Sequence, residues 1–229
     1  MIRAAFFDLD GTLFTGHIWR GLAEHHRAHR THRALVYVYL VTHMGLWLLH
    51  LARLVKEEPF YAAWVRHMPW LMAGFSEEEG QVVFRRLCDD YVLPRLRPDV
   101  MELVHRHQAE GRPVVLVSGT FQGLLEVIAE ALGLQGAVGT RLRLRKGRYT
   151  GDVIEPICFG AGKVERLRQY LAQHPEIDLA ASYAYADSIY DVPLLEIVSH
   201  PVAVYPEARL ATIARQRGWP IIGEIRGEK

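Results

Sequence analysis

The sequence predicts an α/β fold: a mostly parallel sheet packed against helices, with an all-helical segment inserted after the first strand. Three observations predict it. Short apolar runs end in polar turn residues, and helical patterns alternate with these runs. Between residues 16 and 94 that alternation stops and only helical patterns remain. Half of the 229 residues are hydrophobic and 10% are aromatic, enough to fill a large core and to exclude global disorder.

The first strand spans residues 2–8 and runs into Gly11-Thr12. Further buried strands are expected at 113–118, 179–186 and 201–205. Helices fall at 98–110, opened by Pro98 and closed by Gly111, and at 121–132, closed by Gly133. Two more are expected at 163–173 and 207–217. Residues 136–154 read as a β-hairpin turning at Lys146-Gly147, with Arg141, Arg143 and Arg145 on a solvated face. The inserted segment divides into helices near 17–31, 34–55, 58–72 and 76–92, the last opened by the capping-box pattern Ser76-Glu77-Glu78-Glu79. The expected organisation is therefore a Rossmann-like core formed by 1–15 and 95–229, with a helical cap formed by 16–94.

Composition narrows the function. A net charge of +1 argues against a nucleic-acid partner, since such proteins usually carry a basic excess. Cys88 and Cys158 lack metal-ligand spacing and are expected to be small buried packers in a reducing compartment. There is no Asn, hence no N-glycosylation sequon. Met1-Ile2-Arg3 leads straight into the first strand with no leader pattern, so a cytoplasmic location is expected.

Ligands of open α/β sheets bind at the carboxyl ends of strands. The first strand ends Asp8-Leu9-Asp10-Gly11-Thr12, where two carboxylates two residues apart point to the same side of an extended chain. Their mutual repulsion calls for a hard divalent cation such as Mg²⁺. A plain surface turn would also use Asp and Gly. The second strand ends Ser118-Gly119-Thr120, either a small anion cradle or a helix cap. The third ends Asp187-Ser188-Ile189-Tyr190-Asp191, with a carboxylate suited to complete a metal site and a second one helical turn later. Lys163 opens a helix after Gly160-Ala161-Gly162 in a chain with only four lysines, which suits a phosphate as well as a solvated first turn.

In this order the residues resemble the haloacid dehalogenase-like hydrolase superfamily, and the resemblance covers nearly the whole chain. Asp8 to Leu13 matches the first motif, Ser118-Gly119-Thr120 the second, Lys163 the third, and Asp187 with Asp191 the fourth. The inserted helices are similar to the cap of the subgroup that contains phosphoserine phosphatase. The resemblance implies hydrolysis of a small-molecule phosphate ester, with Asp8 as nucleophile and Asp10 as general acid and base. It implies Mg²⁺ held by Asp8, Asp187 and the Asp10 carbonyl, with Asp191 beside them, and phosphate contacts from Gly11, Thr12, Ser118, Gly119 and Lys163. Two positions depart from the pattern. His17, expected to contact substrate, stands where phosphoserine phosphatases place a glutamate for the substrate amine, and Tyr190 replaces an asparagine. An imidazole does not substitute for a carboxylate opposite an ammonium, so L-phosphoserine is expected to be a poor substrate. A phosphotransferase, a lipid-phosphate phosphatase and a silent phosphate-binding module stay as alternatives.

Two features lie outside these motifs. His25, His29 and His32 share a helix face among arginines and are expected to form a solvated basic surface. The apolar run Ala34–Val55 is long enough to cross a bilayer, but one crossing would put Asp8 on one side and Ser118, Lys163 and Asp187 on the other. Burial is expected instead, as cap core or pocket wall, with peripheral contact to lipid left open.

Overall fold

The computed structural model describes residues 1–227, so the last two residues of the expected core segment 95–229 lie outside the described residues. The strands are β1 (Ala5–Phe7), β2 (Val114–Phe121), β3 (Gly136–Arg145), β4 (Arg148–Ile154), β5 (Tyr183–Ala186), β6 (His200–Val204) and β7 (Ile221–Ile222). They form one sheet in the order β4-β3-β2-β1-β5-β6-β7. All neighbours are parallel except the β3–β4 hairpin, and β1 is central, with Ala5 opposite both Val114 and Tyr183.

Side-chain alternation along β1 supplies both faces of the sheet. Phe6 points into a layer with Val115, Val117, Leu167 and Leu210. Phe7 points the other way, into a layer with Leu116, Val100 and Val104, and stacks on Tyr185 with ring centroids 4.2 Å apart. Covering these faces are helices α5 (Pro98–Ala109), α6 (Gln122–Ala131), α7 (Ala161–Leu171), α8 (Val192–Leu195) and α9 (Ala208–Arg217).

Between β1 and β2 the chain also forms α1 (Ile18–Ala28), α2 (Arg33–Leu51), α3 (Glu57–His67) and α4 (Glu77–Arg86). A 3₁₀ turn at Met68–Met72 and a π turn at Leu87–Val92 replace the expected ends of the third and fourth helices. Ser76 and Glu79 form a reciprocal capping box at α4. Arg30, His32 and Arg53 adopt left-handed backbone conformations and bound α2 on both sides. The β3–β4 hairpin docks on this helical segment: Gly74 N–H donates to the Tyr149 carbonyl at 2.8 Å, and Tyr149 N–H to the Phe75 carbonyl at 2.9 Å. Arg141, Arg143 and Arg145 are exposed, as expected of a solvated face. Cys88 and Cys158 are free and buried.

Three expectations are corrected. The strand starting at 113 does not stop at Ser118; β2 continues to Phe121, which buries its ring and pairs with Thr140 after a register shift. The strand expected from 179 begins at Tyr183, because residues 179–182 turn. Finally, α2 is not buried among its neighbours: only Tyr39 and His43 are buried, Val36 packs half-buried on the core, and Val38, Leu40, Val41, Met44, Leu48, Leu49 and Leu51 are exposed. Hydrophobic content requires a covering surface but does not specify that another part of the chain provides it.

Candidate active site

Because β2, β1 and β5 are adjacent and parallel, their carboxyl ends open at one sheet edge. Asp8 follows β1, Ser118 and Gly119 lie in the last half of β2, and Asp187 follows β5. Gly11 turns the chain sharply after Asp10, with φ of 83°, and a Cβ there would lie 2.4 Å from an Asp187 carboxylate oxygen. That close approach brings the two acidic loops together, so glycine is required.

Lys163, on the first turn of α7, reaches the same edge. Its Nζ donates to Asp8 Oδ1 at 2.6 Å and also pairs with Asp191 Oδ1 at 2.5 Å. All three residues are buried. Burial alone would depress the lysine, but the flanking Asp191 and Asp8 hold its ammonium above the ordinary range. Oxygens of Asp8, Asp187 and Asp191 lie within 4.8 Å of one another. Burial pushes the carboxyls of Asp187 and Asp191 up to about 6, and raises Asp8 as well.

Asp10 stands apart from this trio. One carboxylate oxygen accepts from Ile18 N–H at 3.3 Å, while the other is buried with no hydrogen-bond partner among the described residues. Burial first, and Asp8 second, raise its carboxyl well above the usual range. A carboxyl so placed holds its proton more tightly than a free aspartate does, a property that suits proton transfer.

The residues present fit a divalent cation. Among the described residues, three buried carboxylates (Asp8, Asp187, Asp191) and the half-buried Asp10 face two cations, Lys163 and Arg226, which leaves an excess of two negative charges if all ionise. An oxygen-only donor set of this charge suits Mg²⁺.

Several contacts carry no sequence signal. Arg226, from the segment after β7, pairs with Asp187, and its Nε donates to the Tyr205 carbonyl at 2.8 Å. Thr12, expected to contact phosphate, donates its hydroxyl to Asp187 at 3.0 Å. Asp187 is therefore fixed from two sides. Thr140 links the second motif to the lysine loop: its hydroxyl donates to the Gly119 carbonyl at 2.8 Å and accepts from Cys158 N–H at 3.0 Å. His17 is exposed at the start of α1, outside the buried cluster.

Helix α3 forms a roof. A Cβ on Gly119 would lie 3.2 Å from Val65, so the helix stands directly over the second motif. The Tyr61 ring packs 5.3 Å from that of Tyr190, which also meets Phe159 at 4.8 Å. Ion pairs Glu57–Arg209 and Arg66–Glu155 join the roof to the core. A cleft of about 430 Å³ lined by Glu57, Glu58, Gly160, Tyr190 and Arg209 opens beside it. A larger concavity of about 610 Å³ involves Tyr183, His200 and Trp219, at the opposite edge of the sheet and away from the carboxylates. His25 and His29 stack at 4.3 Å, but His32 turns to Phe75 and donates to the Leu71 carbonyl, so the three expected histidines form no joint surface.

Comparison with known proteins gives consistent results. Residues 5–196 match the family profile described as haloacid dehalogenase-like hydrolase. A phosphoserine phosphatase of Mycobacterium tuberculosis is 35% identical over 96% of this chain and 70% of its own. A histidinol-phosphatase of Neisseria meningitidis serogroup C is 35% identical over 66% of this chain and 69% of its own. A crystal structure of a protein of unknown function from Bordetella pertussis Tohama I superposes with a TM-score of 0.82 at 31% identity, covering 97% of this chain and 99% of that one.

Proposed function

The chain belongs to the haloacid dehalogenase-like hydrolases, as a phosphatase with an aspartate nucleophile, and on that premise we propose a Mg²⁺-dependent hydrolase of small phosphate monoesters. The observation that carries this reading is the buried arrangement of Asp8, Lys163 and Asp191 beside an Asp10 whose second oxygen has no partner among the described residues. Asp8 attacks phosphorus in line; the bond to the alcohol oxygen breaks, and Asp10 gives that oxygen its proton. Water then attacks the aspartyl-phosphate, Asp10 takes the proton back, and the bond to Asp8 breaks to release inorganic phosphate. Ser118, the Gly119 N–H and Lys163 hold the transferring oxygens. Asp8, Asp187 and the Asp10 carbonyl would bind Mg²⁺, with Asp191 beside them; when bound, the ion supplies charge neutralisation for the phosphoryl group and the nucleophile. Thr12 and Arg226 orient Asp187.

In this reading residues 16–94 act as a cap over the core formed by 1–15 and 95–229. Val65 and Tyr61 exclude water from the reacting phosphorus and contact the alcohol, while Glu57–Arg209 and Arg66–Glu155 latch the closed form. The relatives' names specify two different alcohols, so likeness does not choose between them. His17, at the position of the amine-binding glutamate, argues against phosphoserine.

The test is a broad phosphomonoester panel with Mg²⁺. L-phosphoserine is expected at least about tenfold below the best ester in kcat/KM, the loss of one charge-assisted contact. Strong preference for phosphoserine would overturn the substrate reading, and no turnover of any ester would favour a binding module.

A further inference from the structure

We propose that α2 is a membrane-docking helix that lies flat on the surface of an anionic lipid bilayer. Its polarity is inverted relative to a helix of an ordinary soluble protein. The face turned toward the protein carries Tyr39 and His43, whose ring donates from Nδ1 to the Tyr39 carbonyl at 2.7 Å and packs 4.1 Å from Trp64. His50 stacks on Phe60 at 5.0 Å. Every exposed side chain from Ala34 to Ala52 is aliphatic, aromatic or methionine. Tyr37 is 69% exposed, Met44 60%, Leu48 56% and Leu51 59%. Together with the neighbouring Leu54 this face offers on the order of 1,000 Å² of apolar surface, above the roughly 300–600 Å² of the largest patch on a typical monomer. Tyr37 and Trp47 sit toward opposite ends of the face, the side chains that anchor at lipid–water boundaries.

Charge selects the occupant. No acidic residue occurs between Glu24 and Glu57, while Arg27, Arg30 and Arg33 precede the apolar face and Arg53 and Lys56 follow it, all exposed. An apolar surface with cations at both ends complements a bilayer with anionic headgroups. It does not complement a second copy of itself: packed parallel or antiparallel, two such helices bring cationic end against cationic end with no carboxylate of the segment between them. A spanning orientation is excluded by topology. β1 before the helix and β2 after it are hydrogen-bonded neighbours in one sheet, and the Tyr39–His43 face is engaged by α3.

The inference is independent of which ester is hydrolysed. The full-length protein is sedimented with phosphatidylcholine vesicles, and with vesicles in which about 30% of the lipid is phosphatidylglycerol. The expected result is binding to the anionic vesicles, lost on raising salt to about 0.5 M, where surface charge is screened. In the double variant V41E/L48E, binding is expected to fall by at least about tenfold, since two charges enter the acyl boundary. Turnover of a soluble aryl phosphate by the same variant, at parent level, shows that it is folded. Failure to sediment by an active parent overturns the proposal and leaves the hydrolase reading intact. So does vesicle binding that V41E/L48E leaves unchanged. A parent that is dimeric by light scattering, monomeric as V41E/L48E and indifferent to vesicles also overturns it and identifies a second copy as the occupant.

Discussion

The carboxyl edge of the sheet and the α1–α3 segment both bury polar groups, by opposite means. At the sheet edge the groups are ionic: Asp8 and Asp191 share Lys163, and Asp187 pairs with Arg226. In the helices they are imidazoles. His26, His43 and His67 lie among Phe75, Trp64 and Trp70, and burial holds each below its ordinary pKa, His26 at about 4. The first region pays desolvation for charges that chemistry needs; the second keeps its polar groups neutral and turns aliphatic side chains outward. Burial of a titratable side chain therefore does not by itself mark a catalytic group. Unbalanced charge does.

The largest expected effect tests that distinction directly. Asp8→Asn should lower turnover of an aryl phosphate by at least about 10³-fold, as expected for loss of a covalent nucleophile, with little change in melting temperature. Chelation of Mg²⁺ should abolish turnover in the parent. His43→Gln should leave kcat within about twofold, since it touches no reacting group. Equal losses in Asp8→Asn and His43→Gln would erase the contrast.

Next in size is Lys163→Met. It strands Asp8 and Asp191 as buried carboxylates without their shared partner, so denaturant unfolding should show a loss of about 3–5 kcal/mol, unless protonation of the carboxyls relieves it. Repeating the measurement at pH 5 should therefore recover part of the loss.

Arg226→Ala should weaken Mg²⁺ affinity by roughly 10–100-fold while the fold is retained, because it removes one of the two groups that orient Asp187. A Mg²⁺ titration of activity measures it; an unchanged half-saturation would remove Arg226 from the site.

The smallest effect concerns acid. His26 is neutral in the fold, with its pKa lowered from 6.5 to about 4, so between those values the unfolded chain binds the extra proton. Its contribution is fully present above pH 6.5 and is lost progressively as pH falls toward 4. Thermal melts across this window should show the decline, and His26→Phe should flatten it.

How much of this was legible in the sequence follows the same division. Asp8, Asp10, Ser118, Lys163, Asp187 and Asp191 stand out in the sequence because each ends or follows an apolar run or opens a helical pattern, where local pattern and chemistry coincide. Asp8, Lys163, Asp187 and Asp191 converge in the structure. Arg226 was missed because its partner lies 39 positions earlier and β7, which leads the chain back, is only two residues long. Thr12 was visible as a polar turn residue, but its acceptor depends on a contact across 175 positions. The apolar run was detected and its orientation was not. Periodicity reports which side chains share a face, and α2 is apolar around most of its circumference, so either side could have been expected to face inward.

The central position of β1 has a metric consequence. Hydrogen-bonded strands lie about 4.8 Å apart, a spacing fixed by the peptide group and not by side chains. Asp8 therefore stands one such interval from the strand bearing Ser118 and one from the strand that ends at Asp187. The sheet acts as a ruler, and the width of the phosphoryl site is a reading on it. Side-chain substitutions can alter what the site attracts, but widening it would mean breaking the ladder on which the interior depends. In the proposed reading, adaptation to a new alcohol falls instead to the residues of α3 and the Phe159–Tyr190 side of the cleft, which no such ruler constrains.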